Sequence, residues 1–294
     1  MNAIPGSSAS DPLVALLEAE DIPLPPRAGP VVDAIRARHG KRVLALLYYG
    51  SSGREADPAK MLDVYVLVDS YRLTHGAGPR AVLNRLLPPV VYYLEVEGAR
   101  CKYSILTLRE FERRSGPDAL LSQIWGRFSQ PVGVVATGAV RARIQAARAR
   151  SIRHLAGETA PLVAADADPI GFWARAFHES YRTELRPEAP LARAREIVER
   201  FAERYVALHR ALDPLPRNPG AARRWFWRRV WGKPMTALRV LNSAATFDGG
   251  LDYVLHKVES HSGVRLEPTL RQRRHPVLWS PVLAWKLWRR GAFG

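Results

Sequence analysis

The residues best suited to chemistry lie in a Gly-Ser turn, Tyr49-Gly50-Ser51-Ser52, and at Asp63, twelve residues after Ser51. Because glycine has no side chain, the backbone N–H groups and serine hydroxyls of such a turn can approach phosphate oxygens closely. A carboxylate on a neighbouring strand can then hold a divalent cation that bridges the phosphates. The pattern predicts a phosphate site with a cation, although a tight turn followed by a strand-entry residue would have the same sequence.

Two apolar segments position this turn and the aspartate. Arg42–Tyr49 is a nearly continuous apolar run of strand length that ends at Gly50, which is typical of a central strand buried on both faces. Leu62–Val68 is rich in β-branched and aromatic residues and predicts a second strand, with Asp63 near its start.

The rest of the first half mixes strands and helices without the regular alternation of a dinucleotide-binding domain. Further strands are predicted at Val90–Val96, Lys102–Leu108 and Val132–Val135, with a hairpin turn at 97–100, and helices at Val31–His39, Arg80–Leu87, Leu108–Arg114 and Asp118–Trp125. The sequence contains neither GxGxxG nor GxxxxGK[ST]. We therefore predict an α+β fold.

The second half has helical patterns. Ala139–Leu155 predicts one helix, and Pro169–Leu185 predicts another that begins after Asp168 as N-cap. Apolar residues then recur at spacings of three and four, which predicts one long helix that packs its apolar face in a core. They are Leu191, Ala194, Val198, Phe201, Tyr205, Leu208 and Leu212.

The net charge of +16 is concentrated near the C-terminus. Residues 213–294 contain 15 Lys and Arg against 5 Asp and Glu, and so carry about +10 of it. Tryptophans are interleaved with these cations in Arg223–Trp231 and again in Trp279–Arg290. Because tryptophan favours the headgroup region and cations attract anionic lipid, we expect both clusters to contact an anionic membrane surface. Single-stranded nucleic acid or ordinary helix packing would also suit them, and we consider nucleic acid the weaker candidate.

Several function classes are excluded by what the sequence lacks. The single cysteine, Cys101, excludes a disulfide framework and a cysteine-rich zinc site, and it fits a reducing compartment. We find no secretory signal at the N-terminus, and no apolar stretch approaches the roughly 18 residues that span a bilayer. We therefore expect a cytoplasmic protein that lies on the inner face of a membrane without crossing it. Residues 50–53 lack the G-x-S-x-G spacing of a hydrolase, and His178-Glu179 lacks the second histidine of H-E-x-x-H.

The turn and the following strand resemble the signature of the DNA polymerase β-like nucleotidyltransferase superfamily. More specifically, the segment from Leu47 to Val132 resembles the mitochondrial-type phosphatidate cytidylyltransferases, which are peripheral CDP-diacylglycerol synthases. The matching segments are Tyr49-Gly50-Ser51; Asp63 with Val66–Asp69; His75; Val91-Tyr92-Tyr93; Lys102-Tyr103-Ser104; Gly126-Arg127 through Pro131-Val132; and Ser180-Tyr181 with Glu184 and Arg186.

The resemblance implies a nucleotidyltransferase-like mixed sheet with flanking helices, and roles for particular residues. Gly50, Ser51 and Ser52 would bind the nucleotide phosphates, and Asp63 would ligate Mg²⁺. Lys102, Arg127 and Lys257 would neutralise phosphate charge. We divide the chain into a loose N-terminal segment, 1–30, a nucleotidyltransferase-like domain, 31–138, a helical domain, 139–212, and a basic amphipathic region, 213–294.

The sequence departs from the superfamily at the second metal-binding aspartate, where Tyr65 stands two residues after Asp63. Asp69 has the same strand parity as Asp63, but six strand residues span about 20 Å. That is too far for Asp63 and Asp69 to share one ion if the strand continues to Asp69. The second ligand is therefore Glu95 or Glu97 on the hairpin, or Asp69 lies beyond the strand and has a different role; Asp69 and Glu95 are retained as metal candidates.

The expected activity is transfer of CMP from CTP to phosphatidate, which yields CDP-diacylglycerol and diphosphate. Two alternatives remain: a nucleotidyltransferase that acts on RNA or a small molecule, and a non-catalytic adaptor that binds membrane or nucleic acid.

Overall fold

A computed structural model describes residues 11–20, 22–50, 61–76, 82, 85, 89–184, 189–246, 251, 255, 258–259, 262–274 and 276–292. Its strands are β1 (Val43–Tyr49), β2 (Leu62–Val68), β3 (Val90–Val96), β4 (Ala99–Thr107) and β5 (Gly133–Val135). They form one five-stranded sheet in the order β3-β4-β2-β1-β5. Only the β2–β4 pair is parallel, so the sheet is mixed. The α+β class predicted from the sequence is confirmed.

The described helices flank this sheet and then continue as a helical part. They are α1 (Pro12–Ala19), α2 (Ala28–His39), α3 (Tyr71–His75), α4 (Leu108–Arg114), α5 (Gln123–Phe128), α6 (Gly138–Thr159), α7 (Pro169–Tyr181), α8 (Pro190–Arg200), α9 (Ala202–Ala211), α10 (Ala221–Thr246), α11 (Leu270–Arg274) and α12 (Pro276–Arg289).

Alternation along β2 gives the sheet two different faces. Even-numbered residues of β2 are buried with apolar residues of α2. Tyr65 and Leu67 are buried on the opposite face, against residues of α4, α5 and α6. Asp63 has the same parity as Tyr65, so its carboxylate lies on this second face. It lies at the end of the strand where the helices cover the sheet incompletely, and a third of its side chain is exposed.

The hairpin between β3 and β4 is confirmed. Its two central residues, Glu97 and Gly98, have positive φ angles of 48° and 74°. Two consecutive positive φ angles give the turn that matches the right-handed twist of the flanking strands. This hairpin fixes the register that pairs Tyr93 with Lys102.

Three local predictions are wrong. The helix expected at Asp118–Trp125 runs instead from Gln123 to Phe128. Residues 1–30 were expected to be loose, but α1 buries Leu13 and Leu17 in the core of the helical part, and Asp11 caps its first turn. The apolar stripe was expected on one long helix, but the chain breaks at Phe201, with φ −123° and ψ 39°, into α8 and α9. The core of this part contains Trp125, Trp173 and Trp225, each fully buried.

Candidate active site

Gly50 and Asp63 are held against each other by the β1–β2 pairing. Tyr49, the last residue of β1, lies opposite Asp63 in the antiparallel register. Gly50 follows with φ +91°, and a Cβ atom added there would lie 3.2 Å from Asp63 Oδ2. The positive φ favours glycine at this position, and a Cβ atom would also crowd the carboxylate. Ser51 and Ser52 lie outside the described residues.

Lys102 stands next to Asp63 on the neighbouring strand. The parallel β2–β4 register pairs the two residues, and Lys102 Nζ lies 3.8 Å from Asp63 Oδ1. Their side chains are 29% and 33% exposed, so water screens this pair and it contributes at most about 1 kcal/mol. A phosphate or a cation can therefore replace either partner at small cost.

Arg127 comes to the same place from helix α5. Its Nη1 donates a hydrogen bond to the Tyr65 hydroxyl at 2.7 Å, and its guanidinium lies 4.9 Å from the centre of the Tyr49 ring. Burial disfavours its charge, but the Tyr49 and Tyr65 oxygens and the carboxylates of Glu184 and Asp63 more than offset this, and the pKa of Arg127 lies well above its ordinary value. The cation beside Asp63 is thus permanent.

Contacts between α5 and α7 fix the helix that carries Arg127. A Cβ added at Gly126 would lie 2.3 Å from Ser180 Oγ, so only glycine permits this approach. Ser180 Oγ donates to the Ser122 carbonyl at 3.3 Å, and Gln130 Nε2 donates to the Tyr181 hydroxyl at 3.2 Å. The Ser180-Tyr181 segment therefore positions α5.

Tyr65 occupies the position where the superfamily resemblance implies a second carboxylate. It is 1% exposed, and its hydroxyl accepts the Arg127 hydrogen bond. Because this position holds a buried phenol that accepts a hydrogen bond from Arg127, Asp63 is the one carboxylate at the start of β2.

The other sequence-predicted metal ligands are not all brought to Asp63. Asp69 follows the far end of β2, about 20 Å from Asp63 along the strand. There its carboxylate forms an ion pair with Arg42 at 2.7 Å. Glu95 shares the site's sheet face but pairs in register with Arg100, and it accepts a hydrogen bond from the Tyr93 hydroxyl at 2.9 Å. Lys257 lies outside the described residues.

His75 lies away from this group. Its ring stacks on Tyr92, and its Nδ1 lies 3.0 Å from the Tyr92 hydroxyl. Tyr92 belongs to the core on the α2 side of the sheet, so the contact is a packing contact on the opposite face from Asp63.

Two charged residues near Arg127 were missed as site residues by sequence reasoning. Glu184 follows α7 and acts electrostatically on Arg127. Arg239 on α10 is 8% exposed and donates to Gln123 Oε1 on α5. Arg239 lies 112 residues from Arg127 in the chain, so no local motif could have linked them.

The first cluster of tryptophan and arginine residues, Arg223–Trp231, lies on helix α10. Arg224 and Arg228 both pair with Glu158, and Arg229 pairs with Glu179 at 2.8 Å. Three of the four arginines of this cluster therefore make internal ion pairs.

The outward face of α10 carries the apolar residues instead. Trp225 is fully buried, whereas Phe226, Trp227, Val230 and Trp231 are 53%, 50%, 44% and 53% exposed. On helix α12, Leu283 and Leu287 are buried while Trp285 and Trp288 are 52% and 65% exposed. Within the described ranges, no helix combines the length and apolar character needed to cross a membrane.

The residues present are compatible with Mg²⁺. This ion retains several waters and commonly binds through one or two carboxylates together with substrate phosphates. Asp63, partly exposed beside Gly50, supplies one such carboxylate. Among the described residues, no group of three or more His, Cys, Asp or Glu forms a protein-only metal cage.

The chain was also compared with known proteins. No protein-family model matches it, and no curated protein matches it significantly. What can be said about its function therefore depends on the geometry of Gly50, Asp63, Lys102 and Arg127.

Proposed function

We propose that this protein is a nucleotidyltransferase with a nucleotidyltransferase-like sheet, and that it transfers CMP from CTP to phosphatidate. The observation that carries the proposal is the convergence of Gly50, Asp63, Lys102 and Arg127 at one end of β1 and β2. A close backbone turn, one carboxylate and two cations are the parts that phosphoryl-transfer sites use to position and neutralise a polyphosphate.

In the proposed reaction, an oxygen of the phosphatidate phosphate attacks the α-phosphorus of CTP. A new phosphorus–oxygen bond forms, the bond from the α-phosphorus to the bridging oxygen of the β-phosphate breaks, and diphosphate leaves. Because the attacking group is already an anion, it needs no general base. This is consistent with the absence of a second carboxylate at Tyr65, which an enzyme that deprotonates a hydroxyl would need more.

The residues of the site would have separate roles in binding the nucleotide and neutralising its charge. The backbone at Gly50, with Ser51 and Ser52, would bind the triphosphate, and Asp63 would hold Mg²⁺. When bound, Mg²⁺ neutralises charge on the phosphate oxygens. Lys102 and Arg127 would stabilise negative charge on the transferred group and the leaving diphosphate, and Lys257 is kept as a further candidate.

We also propose that the protein binds an anionic bilayer through the exposed aromatic residues of α10 and α12. Tryptophan and phenylalanine at this exposure would enter the headgroup region. The exposed Arg223 and Lys233 on α10 would add attraction to anionic lipid. This arrangement suits an enzyme whose acceptor stays in the membrane, on the inner face and in the cytoplasm, where the buried free thiol of Cys101 would stay reduced.

The activity test uses labelled CTP, Mg²⁺ and vesicles of phosphatidylcholine with phosphatidate. Wild type should form CDP-diacylglycerol, and Asp63→Asn should lower kcat by at least about 100-fold, as expected for loss of a major electrostatic group. Asp69→Asn is the matched control, because Asp69 lies at the other end of the same strand and pairs with Arg42. Its rate should stay within about threefold of wild type.

The alternative acceptors are tested in parallel with a short RNA and with diacylglycerol. Transfer to RNA, or full activity of Asp63→Asn, would show that the proposed reaction is wrong. If wild type binds vesicles but transfers nothing to any acceptor, the non-catalytic adaptor is the better description.

Membrane binding is tested by sedimentation with vesicles, with and without anionic lipid, at about 0.15 M salt. The double variant Trp227→Ser/Trp231→Ser should lose most of its bound fraction. Leu191→Ser, which alters a 41% exposed apolar residue on α8, is the control. Retention on RNA with no preference for vesicles would contradict membrane binding.

A further inference from the structure

Arg239 is an arginine that helix α10 turns inward, toward the candidate active site. Its side chain is only 8% exposed. One nitrogen, Nη1, donates to Gln123 Oε1, and Gln123 Nε2 in turn donates to Thr236 Oγ1 at 3.3 Å. The Nε atom is buried and has no hydrogen-bond partner among the described residues. A buried N–H donor without an acceptor is costly, so native structures rarely leave one unfilled.

The position of Gln123 brings Arg239 close to Arg127. Gln123 and Arg127 are four residues apart on α5, so their side chains lie on one face of that helix. Arg127 reaches from this face to the Tyr65 hydroxyl. Arg239 therefore approaches the same sheet face as Tyr65, two residues along β2 from Asp63.

Arg239 is a buried cation whose electrostatic surroundings include other arginines. Burial is the largest effect, and the positive charges of Arg114 and Arg127 add to it, so that the pKa of Arg239 falls to about 10 despite attraction from Tyr65 and Glu184. Arg239 nevertheless remains protonated near pH 7. Guanidinium groups that lie near each other with unused donors favour an anion with several oxygens, and phosphate is one of the groups whose geometry arginine matches.

We propose that Arg239 and Arg127 together bind a phosphate group of a substrate, with the buried Nε of Arg239 as one of the donors. The inference deepens the proposed nucleotidyltransferase function and rests on it. The phosphate belongs either to the acceptor or to the nucleotide, and both present the same tetrahedral anion to the arginines.

A purely structural role is the competing explanation. In that case Arg239 serves only to hold α10 against α5 through Gln123. The two roles differ in one measurable respect, because a structural contact changes the melting temperature but does not change the affinity of a folded protein for phosphate.

The test measures binding without turnover, by calorimetry on the full-length chain. One arm uses CTP with Mg²⁺, a second uses dihexanoyl phosphatidate, and a third uses dihexanoylglycerol, which lacks the phosphate. Arg239→Gln removes the charge, and Arg239→Lys keeps the charge but removes Nε. Arg195→Gln is the control, since Arg195 is an exposed arginine on α8, a helix to which no binding role is assigned.

Arg239→Gln should weaken binding in the CTP arm or the phosphatidate arm by about tenfold or more, as expected for a lost charge-assisted hydrogen bond. The arm that changes identifies the source of the phosphate. Arg239→Lys should fall between Arg239→Gln and wild type. Arg195→Gln should match wild type, and the dihexanoylglycerol arm should be the same for all variants.

Unchanged affinity in both phosphate arms for a folded Arg239→Gln would overturn the proposal. If Arg239→Gln does not fold, Arg239→Lys decides, and wild-type affinity in that variant would equally overturn it. Because calorimetry needs no reaction, the phosphate site can be upheld even if wild type transfers nothing in the activity test, so the two failures are distinguishable.

Discussion

Glu158 is the buried anion that holds helix α10 in place, and we predict that Glu158→Gln is strongly destabilising. Its side chain is 1% exposed and pairs with Arg228, which is 5% exposed, and with Arg224 at 2.6 Å. Asn218 Nδ2 also donates to it at 3.0 Å. The amide keeps the volume of the side chain but removes the charge, so that Arg228 is left in the core without a counterion.

The expected magnitude follows from that burial. Removing one partner of a buried ion pair costs about 3–5 kcal/mol of unfolding free energy. In a chain of 294 residues, with an unfolding entropy of about 2.1 cal/mol/K per residue, that corresponds to a fall in melting temperature of roughly 5–8 °C. The control is Glu112→Gln, because Glu112 makes a similar bidentate pair with Arg143, but at the surface, where the side chains are 23% and 53% exposed. Such a pair contributes about 0–1 kcal/mol.

The assay is thermal and urea unfolding followed by circular dichroism, at pH 7 and at several acidic pH values. Burial raises the pKa of Glu158, but hydrogen bonds and charge from Arg224 and Arg228 outweigh it, so the pKa lies below its ordinary value of 4.5. The stabilisation from a lowered pKa is present above the unfolded-state pKa and is lost as pH falls through the folded-state value. The gap between wild type and Glu158→Gln should therefore shrink below about pH 4.5.

Equal losses for Glu158→Gln and Glu112→Gln would refute this reasoning. A further check is the double variant Glu158→Gln/Arg228→Met, which removes the stranded cation as well as the anion. It should be more stable than Glu158→Gln alone, because apolar replacement of a buried ion pair is often neutral.

Two further predictions concern single side chains. Gly50→Ala should lower the free energy of unfolding by about 1–2 kcal/mol, because an L-residue at positive φ is strained. It should also lower the rate of CMP transfer, because the new Cβ would lie 3.2 Å from Asp63 Oδ2. Urea unfolding measures the first effect and the CMP-transfer assay measures the second. Trp225→Ala should cost about 3–5 kcal/mol in urea unfolding, whereas Trp231→Ala, at a 53% exposed position on the same helix, should change stability by no more than about 0.5 kcal/mol. Equal costs for the two tryptophans would contradict the assigned faces of α10.

Much of the sheet could be predicted from local pattern. The apolar run that ends at Gly50, the β-branched run after Leu62 and the hairpin at Gly98 each appear where strand composition and turn chemistry predict them. Helix bounds that depend on a cap were also predicted, as at Asp168, whose carboxylate accepts a hydrogen bond from Gly171 N at 2.8 Å. These signals act over a few residues, so the sequence alone is sufficient.

The features that could not be predicted depend on contacts between distant segments. The break at Phe201 interrupts an apolar stripe that continues in register on both sides, so spacing could not reveal it. Arg239 reaches Gln123 across 116 residues, and Arg228 reaches Glu158 across 70. Composition identified the arginines of α10 as charge that could meet a ligand, but only the packing shows which of them point inward.

The ion pairs of α10 determine how this helix can meet a surface. Many amphipathic helices hide an apolar face in solution and must swing outward to expose it. Helix α10 already shows its aromatic residues to solvent and uses Arg228 and Arg229 to fasten the opposite side to Glu158 and Glu179. Lifting it away would strand buried charges at a cost of about 3–5 kcal/mol for the Glu158 pair alone. In the proposed binding to a bilayer, the protein would therefore meet the surface as a rigid body, and α10 would need no hinge motion.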